Sequence, residues 1–439
     1  MTSHTMLPNS IWPVAAADYE RATHFMPGGN TRTQLYLAPH PLYVKSGTGS
    51  RITLVDGREF DDFLTNYTAA ACGYGHPEIV AAATEALACG APFGMPTEWE
   101  IGLAETLVDR VDAIDLVRFT NSGSEATLHA IRTARAYTGK VMLAKAEGAY
   151  HGSHDLADFS IHHLGDQPLE VVPETRAIPQ GIADGLVLFP FNDLDGTIEV
   201  LDRHRDSLAA VLLEPFLNSV GCIPSEPEYF RGIAAWCQAH GVLLVVDEVA
   251  SFRASHGGVH SDFGVRPDLV CLGKSIGGGF AVGAFGGRAD VMSVLDPREP
   301  GHIKHAGTFN GHPATMAAGK KAMELLDRAT IGRMNRQGRR LIEGIRAIGV
   351  SRGVELTATG YGSIGNIHFS RTAPQNAREA VSLPQSRRID LFWALIERGY
   401  VVAPRLQFST SIATEDAQVA GLLAAIEDAI GGVLSKGLA

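Results

Sequence analysis

Asp268-Leu269-Val270-Cys271-Leu272-Gly273-Lys274-Ser275-Ile276-Gly277-Gly278-Gly279 is the stretch around which the chain is organised. The apolar run Leu269 to Leu272 reads as a buried strand that stops at Gly273. A lysine follows at once. Three consecutive glycines come soon after, and they neither extend a strand nor start a good helix. The backbone must turn unusually there or approach something closely. A lysine at the end of a buried strand is costly unless it is paired, neutral or used covalently. A Schiff base with an aldehyde cofactor is one such use. The plain alternative is a surface lysine that happens to follow a strand.

Working outward, Gly241-Val242-Leu243-Leu244-Val245-Val246-Asp247-Glu248-Val249 is a strongly apolar strand with two acids at its carboxyl end. In α/β sheets that end is where ligands bind. A carboxylate there suits a protonated pyridine nitrogen of the kind pyridoxal phosphate presents. Otherwise Asp247 caps the next helix or pairs with an arginine such as Arg253. Further upstream, Val117 to Ala126 reads as a strand, a small polar turn and a helix start. The turn, Ser122-Gly123-Ser124, offers backbone N–H groups, hydroxyls and the positive end of a helix dipole. That is a phosphate cradle, or simply a serine cap. Glu147-Gly148-Ala149-Tyr150-His151-Gly152 ends another strand with an aromatic able to stack on a flat ring. Leu208 to Leu213 is a strand ending in Glu214-Pro215. Beyond Lys274 the glycines persist through Gly287, a sign of close packing against a ligand or another backbone. A polar loop follows with Gly307-Thr308-Phe309-Asn310. Near the N-terminus, Arg32 on a Pro-Gly-Gly turn can hold a carboxylate in a bidentate fork, or is merely solvated.

Composition narrows the function classes. The 439 residues, 45% hydrophobic and 19% charged, have ordinary globular character and a length that calls for more than one structural unit. A net charge of -11 with scattered basic residues argues against non-specific nucleic-acid binding. No apolar run approaches the ~18 residues that span a bilayer. Met1 to Pro13 carries no basic segment followed by an apolar core, so a cytoplasmic location is expected. Five dispersed cysteines without Cys-x-x-Cys read as reduced thiols. His151/His154 and His302/His305 have helical metal-pair spacing but lack a third ligand and sit in Gly-rich loop sequence, so no metal is expected. Gly47-Thr48-Gly49 lacks the third glycine of a dinucleotide loop, which disfavours a nicotinamide dehydrogenase.

The alternation of strands and helices predicts an α/β architecture: a mostly parallel central sheet flanked by helices, plus a smaller α+β domain built from both termini. Residues 1–60 would be an N-terminal segment of the small domain, 61–320 the large cofactor-binding domain, and 321–439 the C-terminal part of the small domain. Residues 155–185 have little pattern and read as a long excursion.

Taken in order, Ser-Gly-Ser at a helix start, Tyr-His-Gly, Asp-Glu-Val after a strand, Gly-Lys before glycines and Gly-Thr-Phe resemble the fold-type I pyridoxal-phosphate enzymes. More narrowly the chain resembles the class III aminotransferases, a group that includes glutamate-1-semialdehyde aminomutase. The resemblance covers nearly the whole chain, and its motifs are specific in combination. Met26-Pro27-Gly28-Gly29-Asn30-Thr31-Arg32 and Ala403-Pro404-Arg405 bring it nearest to the β-phenylalanine aminotransferases.

The resemblance implies roles. Lys274 would hold pyridoxal 5'-phosphate as a Schiff base and shuttle the proton between substrate and cofactor carbons. Asp247 would pair with the ring nitrogen. Val249 would pack on one ring face and Tyr150, with His151 beside it, on the other. Gly123 and Ser124 would bind the phosphate, with Ser122 near it. Thr308 would reach the phosphate of a neighbouring subunit, which implies a homodimer with active sites at the interface. Glu214 would lie near the ring, and Arg32 and Arg405 would bind substrate carboxylates. Some segments depart from the family pattern. Glu214-Pro215-Phe216-Leu217-Asn218 lacks the glycine of Glu-Pro-x-x-Gly, and Gly311-His312-Pro313 stands for Gly-Asn-Pro. Arg405 to Ile412 lacks the acid that aminomutases carry, and Asn30-Thr31-Arg32 replaces their Asn-Ser-Pro-Val-Arg.

The expected function is therefore a ping-pong aminotransferase. It would move an amino group from an amine or β-amino acid to an oxo acid such as 2-oxoglutarate or pyruvate. The alternative within the group is an aminomutase, which needs no external oxo acid. A cofactor-free protein that merely keeps the fold is disfavoured because Lys274 and Asp247 are both present.

Overall fold

In the computed structural model, which describes residues 13–435, the apolar runs of the sequence assemble into one mixed sheet. Most of the N-terminal stretch read above for a leader lies outside the described residues. The strands are Leu116–Thr120 (β1), Met142–Ala146 (β2), Leu186–Phe189 (β3), Leu208–Leu213 (β4), Leu243–Asp247 (β5), Leu269–Gly273 (β6) and Gly283–Gly287 (β7). Their spatial order is β1-β7-β6-β5-β4-β2-β3. Neighbours are parallel except at β7, which runs antiparallel to both β6 and β1.

Strands β4, β5 and β6 are buried along their whole length, which is why they read as continuous apolar runs. Alternate side chains serve opposite faces. Val211, Leu213, Leu244 and Val246 pack with Leu201, Phe230 and Ile233 of the helices Leu194–His204 and Pro227–His240. Ala210, Leu212, Leu243 and Val245 meet Ala130, Ile131 and Ala134 of the helix Gly123–Thr138 on the other side. The sheet is thus covered on both faces, with its strand ends free to build a site.

Strand β7 accounts for the glycines after Lys274. A Cβ at Gly283 would collide with the Ser122 carbonyl oxygen, and one at Gly287 with the Asp268 carbonyl oxygen. Glycine lets this strand thread between β6 and β1 at that closeness.

A second core lies apart from the sheet and draws on both ends of the chain. Phe60 and Phe63 pack there with Leu341, Ile345, Phe392, Leu395, Leu422 and Ile426. The strand Glu59–Asp62 pairs in parallel with Tyr400–Val401. The helix Arg328–Arg352 spans this core. Asp327 caps its start by accepting the Thr330 amide at 2.7 Å, and Gly353 ends it at φ 64.

Among the described residues the 155–185 excursion holds one short helix, Gln180–Ala183. The buried Lys145 amine pins it by donating to the carbonyls of Ala157, at 3.1 Å, and Phe159. Glu174 pins it again by accepting the amides of Ile161, His162 and His163. No helix among the described residues is long and apolar enough to cross a membrane.

Candidate active site

The carboxyl ends of β4, β5 and β6 open into a cavity of about 900 Å³ whose wall includes Glu214, Asp247 and Lys274. The turn after β1 adds Ser122, Gly123 and Ser124, and the loop after β2 adds Tyr150 and His151.

Lys274 follows β6 directly and has φ 50, a left-handed conformation uncommon for a residue with a Cβ. It opens a short 3-10 turn, Lys274–Gly277, closed by Gly278 at φ 60. The glycines therefore do not break the chain at once: one tight turn forms first, and Gly278 supplies the exit conformation. Burial pushes the Lys274 amine down to about 8. Asp247 opposes that shift and Arg405 adds to it.

Asp247 is fixed at both oxygens. Its Oδ1 accepts the Val249 amide at 2.9 Å, and its Oδ2 lies 3.0 Å from His151 Nδ1. Burial holds the His151 ring below its ordinary pKa, so the neutral ring donates from Nδ1 to the carboxylate. Its Nε2 is buried without a hydrogen-bond partner. Arg253, the other partner open to Asp247 on sequence, turns elsewhere. It donates to Thr65 Oγ1 and to the carbonyls of Thr68 and Thr410.

At the helix Gly123–Thr138 the cap and the cradle coexist. Ser122 Oγ accepts the Glu125 amide at 3.1 Å, and Ser124 Oγ accepts the Ser153 amide at 3.2 Å. The amides of Gly123 and Ser124 belong to the first turn, where a helix offers no internal acceptor. A Cβ at Gly123 would come 2.6 Å from Val249 Cγ1, so glycine lets the turn lie against Val249.

Burial, reinforced by the Asp247 charge, pushes the Glu214 carboxyl up to about 8. Its oxygens accept the amides of Tyr150 and Asn218, each at 3.3 Å. Glu214 thus ties the Tyr150 loop to the segment that departs from the family pattern.

The two arginines stand differently. Arg32 lines the main cavity and donates to Asn66 Oδ1 at 3.0 Å. Arg405 lines an adjoining cavity, its guanidinium 5.4 Å from the Tyr67 ring centre. Its Nε donates to Gln407 Oε1 at 3.0 Å, and Gln407 in turn donates to Asn218 Oδ1 at 2.7 Å. Sequence reasoning missed Gln407. Asn218 stood out only as the residue replacing the family glycine. Thr308 is not brought to the main cavity. It lines a separate one of about 850 Å³, although Asn310 beside it bonds Asn121, next to the cradle, at 2.8 Å.

These groups fit pyridoxal phosphate part by part. A helix N-terminus suits its phosphate, a fixed carboxylate its ring nitrogen, and an amine of lowered basicity its aldehyde.

Known proteins match over most of the chain. The class III aminotransferase family model matches residues 36–430. A glutamate-1-semialdehyde 2,1-aminomutase of Methanothermobacter thermautotrophicus is 34% identical over 419 residues, spanning 94% of this chain and 98% of that protein. An omega-transaminase from Sphaerobacter thermophilus superposes with TM-score 0.93 at 41% identity, covering 97% of this chain and 100% of that one. A β-phenylalanine aminotransferase from Variovorax paradoxus does so with TM-score 0.90 at 33% identity, covering 97% and 95%.

Proposed function

The chain belongs to the class III aminotransferase family of pyridoxal-phosphate enzymes, and from that premise we propose that it moves an amino group from an amine or β-amino acid of the β-phenylalanine type to a 2-oxo acid such as 2-oxoglutarate or pyruvate. The observation that carries this reading is the bonding of its two arginines. Arg32 donates to Asn66 and Arg405 to Gln407, neutral amides that leave both positive charges for a ligand. Two such groups let one site hold the carboxylates of donor and acceptor in turn.

When bound, pyridoxal phosphate supplies the electron sink and carries the amino group between the two half-reactions. The chain's residues do the rest. Asp247, oriented by His151 and the Val249 amide, keeps the ring nitrogen protonated. The amides of Gly123 and Ser124 would hold the phosphate, and Val249 and Tyr150, which line the same cavity, would pack against the ring. Lys274 moves the proton at the substrate carbon. Lowering its amine from 10.5 to about 8 enlarges the neutral fraction at pH 7 by roughly two orders of magnitude. Glu214, protonated near neutrality, holds the Tyr150 loop without adding a second negative charge beside Asp247. Thr308 reaches the phosphate site of a second copy, which makes the working unit a homodimer.

A second reading, aminomutase, is favoured by the 34% identical aminomutase relative. The two differ in their need for an oxo acid. The test is an absorption spectrum of the holoenzyme on adding racemic β-phenylalanine with no oxo acid present. Loss of the yellow band, restored by 2-oxoglutarate and absent in Lys274→Ala, is expected. A band that does not respond overturns the donor class. Isomerisation of an amino aldehyde without added oxo acid establishes the aminomutase instead.

A further inference from the structure

A second cavity, of about 350 Å³, lies against Arg405 and shares Ser219 with the main one. Its wall holds two guanidinium groups, Arg388 and Arg405, and no aspartate or glutamate. His162, Asn366, His368 and Gln385 supply other polar groups. Arg388 projects from the first turn of the helix Gln385–Glu397. Its Nη2 donates to the carbonyls of Ala380 and Leu383 at 3.0 and 3.3 Å, which fixes the plane of the fork. Its Nε is buried without an acceptor. Arg405 is fixed just as firmly by Gln407, again a neutral partner.

Both fixed cations lose hydration on burial in a wall that carries no aspartate or glutamate. A carboxylate between them would relieve both costs, and the planar forks suit it. We propose that this cavity is a carboxylate-binding site, anchored by Arg388 and shared with Arg405, that takes one end of a small dicarboxylate. The site deepens the aminotransferase reading and rests on it for the ligand's source. That source is the far carboxylate of a dicarboxylic oxo acid whose reacting end lies at Lys274. The wall shared at Ser219, and an Arg405 charge that acts on Lys274, favour this over an unrelated anion.

The probe is glutarate, a dicarboxylate with no oxo group, titrated calorimetrically into the holoenzyme. Arg388→Met is expected to weaken its binding about tenfold or more. Gln385→Glu places an acid in the same wall and keeps the contacts of Arg388 with Ala380 and Leu383. It should weaken glutarate in the same direction, so a folding defect in the first variant leaves the test intact. Both variants should raise KM for 2-oxoglutarate while leaving KM for pyruvate unchanged. Glutarate competitive with 2-oxoglutarate identifies the acceptor's own carboxylate, and non-competitive inhibition identifies a separate dicarboxylate at the same site. Equal glutarate affinity in wild type and both variants overturns the proposal. If turnover needs no oxo acid, the aminotransferase reading fails, and the calorimetry still decides the site.

Discussion

Glu214 and Lys274 face one cavity, and burial drives both toward their neutral forms, from opposite directions. For Glu214 the sign of the consequence is fixed. Its carboxyl titrates at 4.5 when unperturbed and near 8 in the fold, so between those values the native state holds a proton that the unfolded chain lacks. Its contribution to stability is full below 4.5 and is lost as pH rises through 8. Thermal unfolding of wild type and Glu214→Gln should show this. The Tm of the wild type relative to the variant falls between pH 5 and pH 8, whereas parallel profiles would mean that Glu214 is ionised throughout. At this scale Lys274 and Asp247 were conspicuous in the sequence, because a charged residue closing a buried apolar strand demands a reason. The partners that orient Arg405 were not. Gln407 opens the strand Gln407–Ser409 and Asn218 sits in a turn 189 positions away; both are neutral, and nothing local marks either until the fold brings them together.

At the scale of elements, legibility followed the strength of the local signal. The whole-length buried strands β4, β5 and β6 announced themselves as apolar runs, whereas the caps Asp327 and Gly353, which carry the helix Arg328–Arg352 beyond its apolar periodicity, became evident only in the fold. Strand β7 has neither signal: Gly283-Ala284-Phe285-Gly286-Gly287 is too poor in side chains to show a period of two. Its glycines are set by what lies across from them, in contacts with Ser122 and Asp268 that only the assembled sheet contains. Because Gly283 touches the carbonyl of the residue that caps the phosphate-cradle helix, crowding there has a double effect. Gly283→Ala should cost about 1–3 kcal/mol by overpacking, read from denaturant unfolding. It should also weaken retention of pyridoxal phosphate, read by dialysis of the yellow protein. Full stability with unchanged cofactor affinity would show that β7 can shift without moving the cradle.

At the scale of the whole molecule, the cavity that contains Thr308 is rimmed by apolar side chains left in water. Phe93 is 47% exposed, Met95 80%, Ile101 53% and Phe309 55%. Clustered exposure of this kind marks an interaction surface, and with the Thr308 loop in its midst the proposed occupant is a second copy. Light scattering should report a dimer. The paired substitution Ile101→Asp and Phe309→Asp should yield monomers that bind the cofactor more weakly, since each site then lacks the loop of its neighbour. A monomeric wild type that holds its cofactor fully would sink this assembly. The second core has a consequence of another kind, one of time. The strand Glu59–Asp62 leaves the ribosome early, yet its parallel neighbour Tyr400–Val401 is made more than three hundred residues later. At ordinary synthesis rates of about 5–20 residues per second, that edge waits on the order of tens of seconds for its partner. Phe60 and Phe63 wait as long for the helices that will cover them. The sheet around Lys274 can meanwhile collapse behind the ribosome, so the second core closes only after the sheet encoded between its two halves has been made.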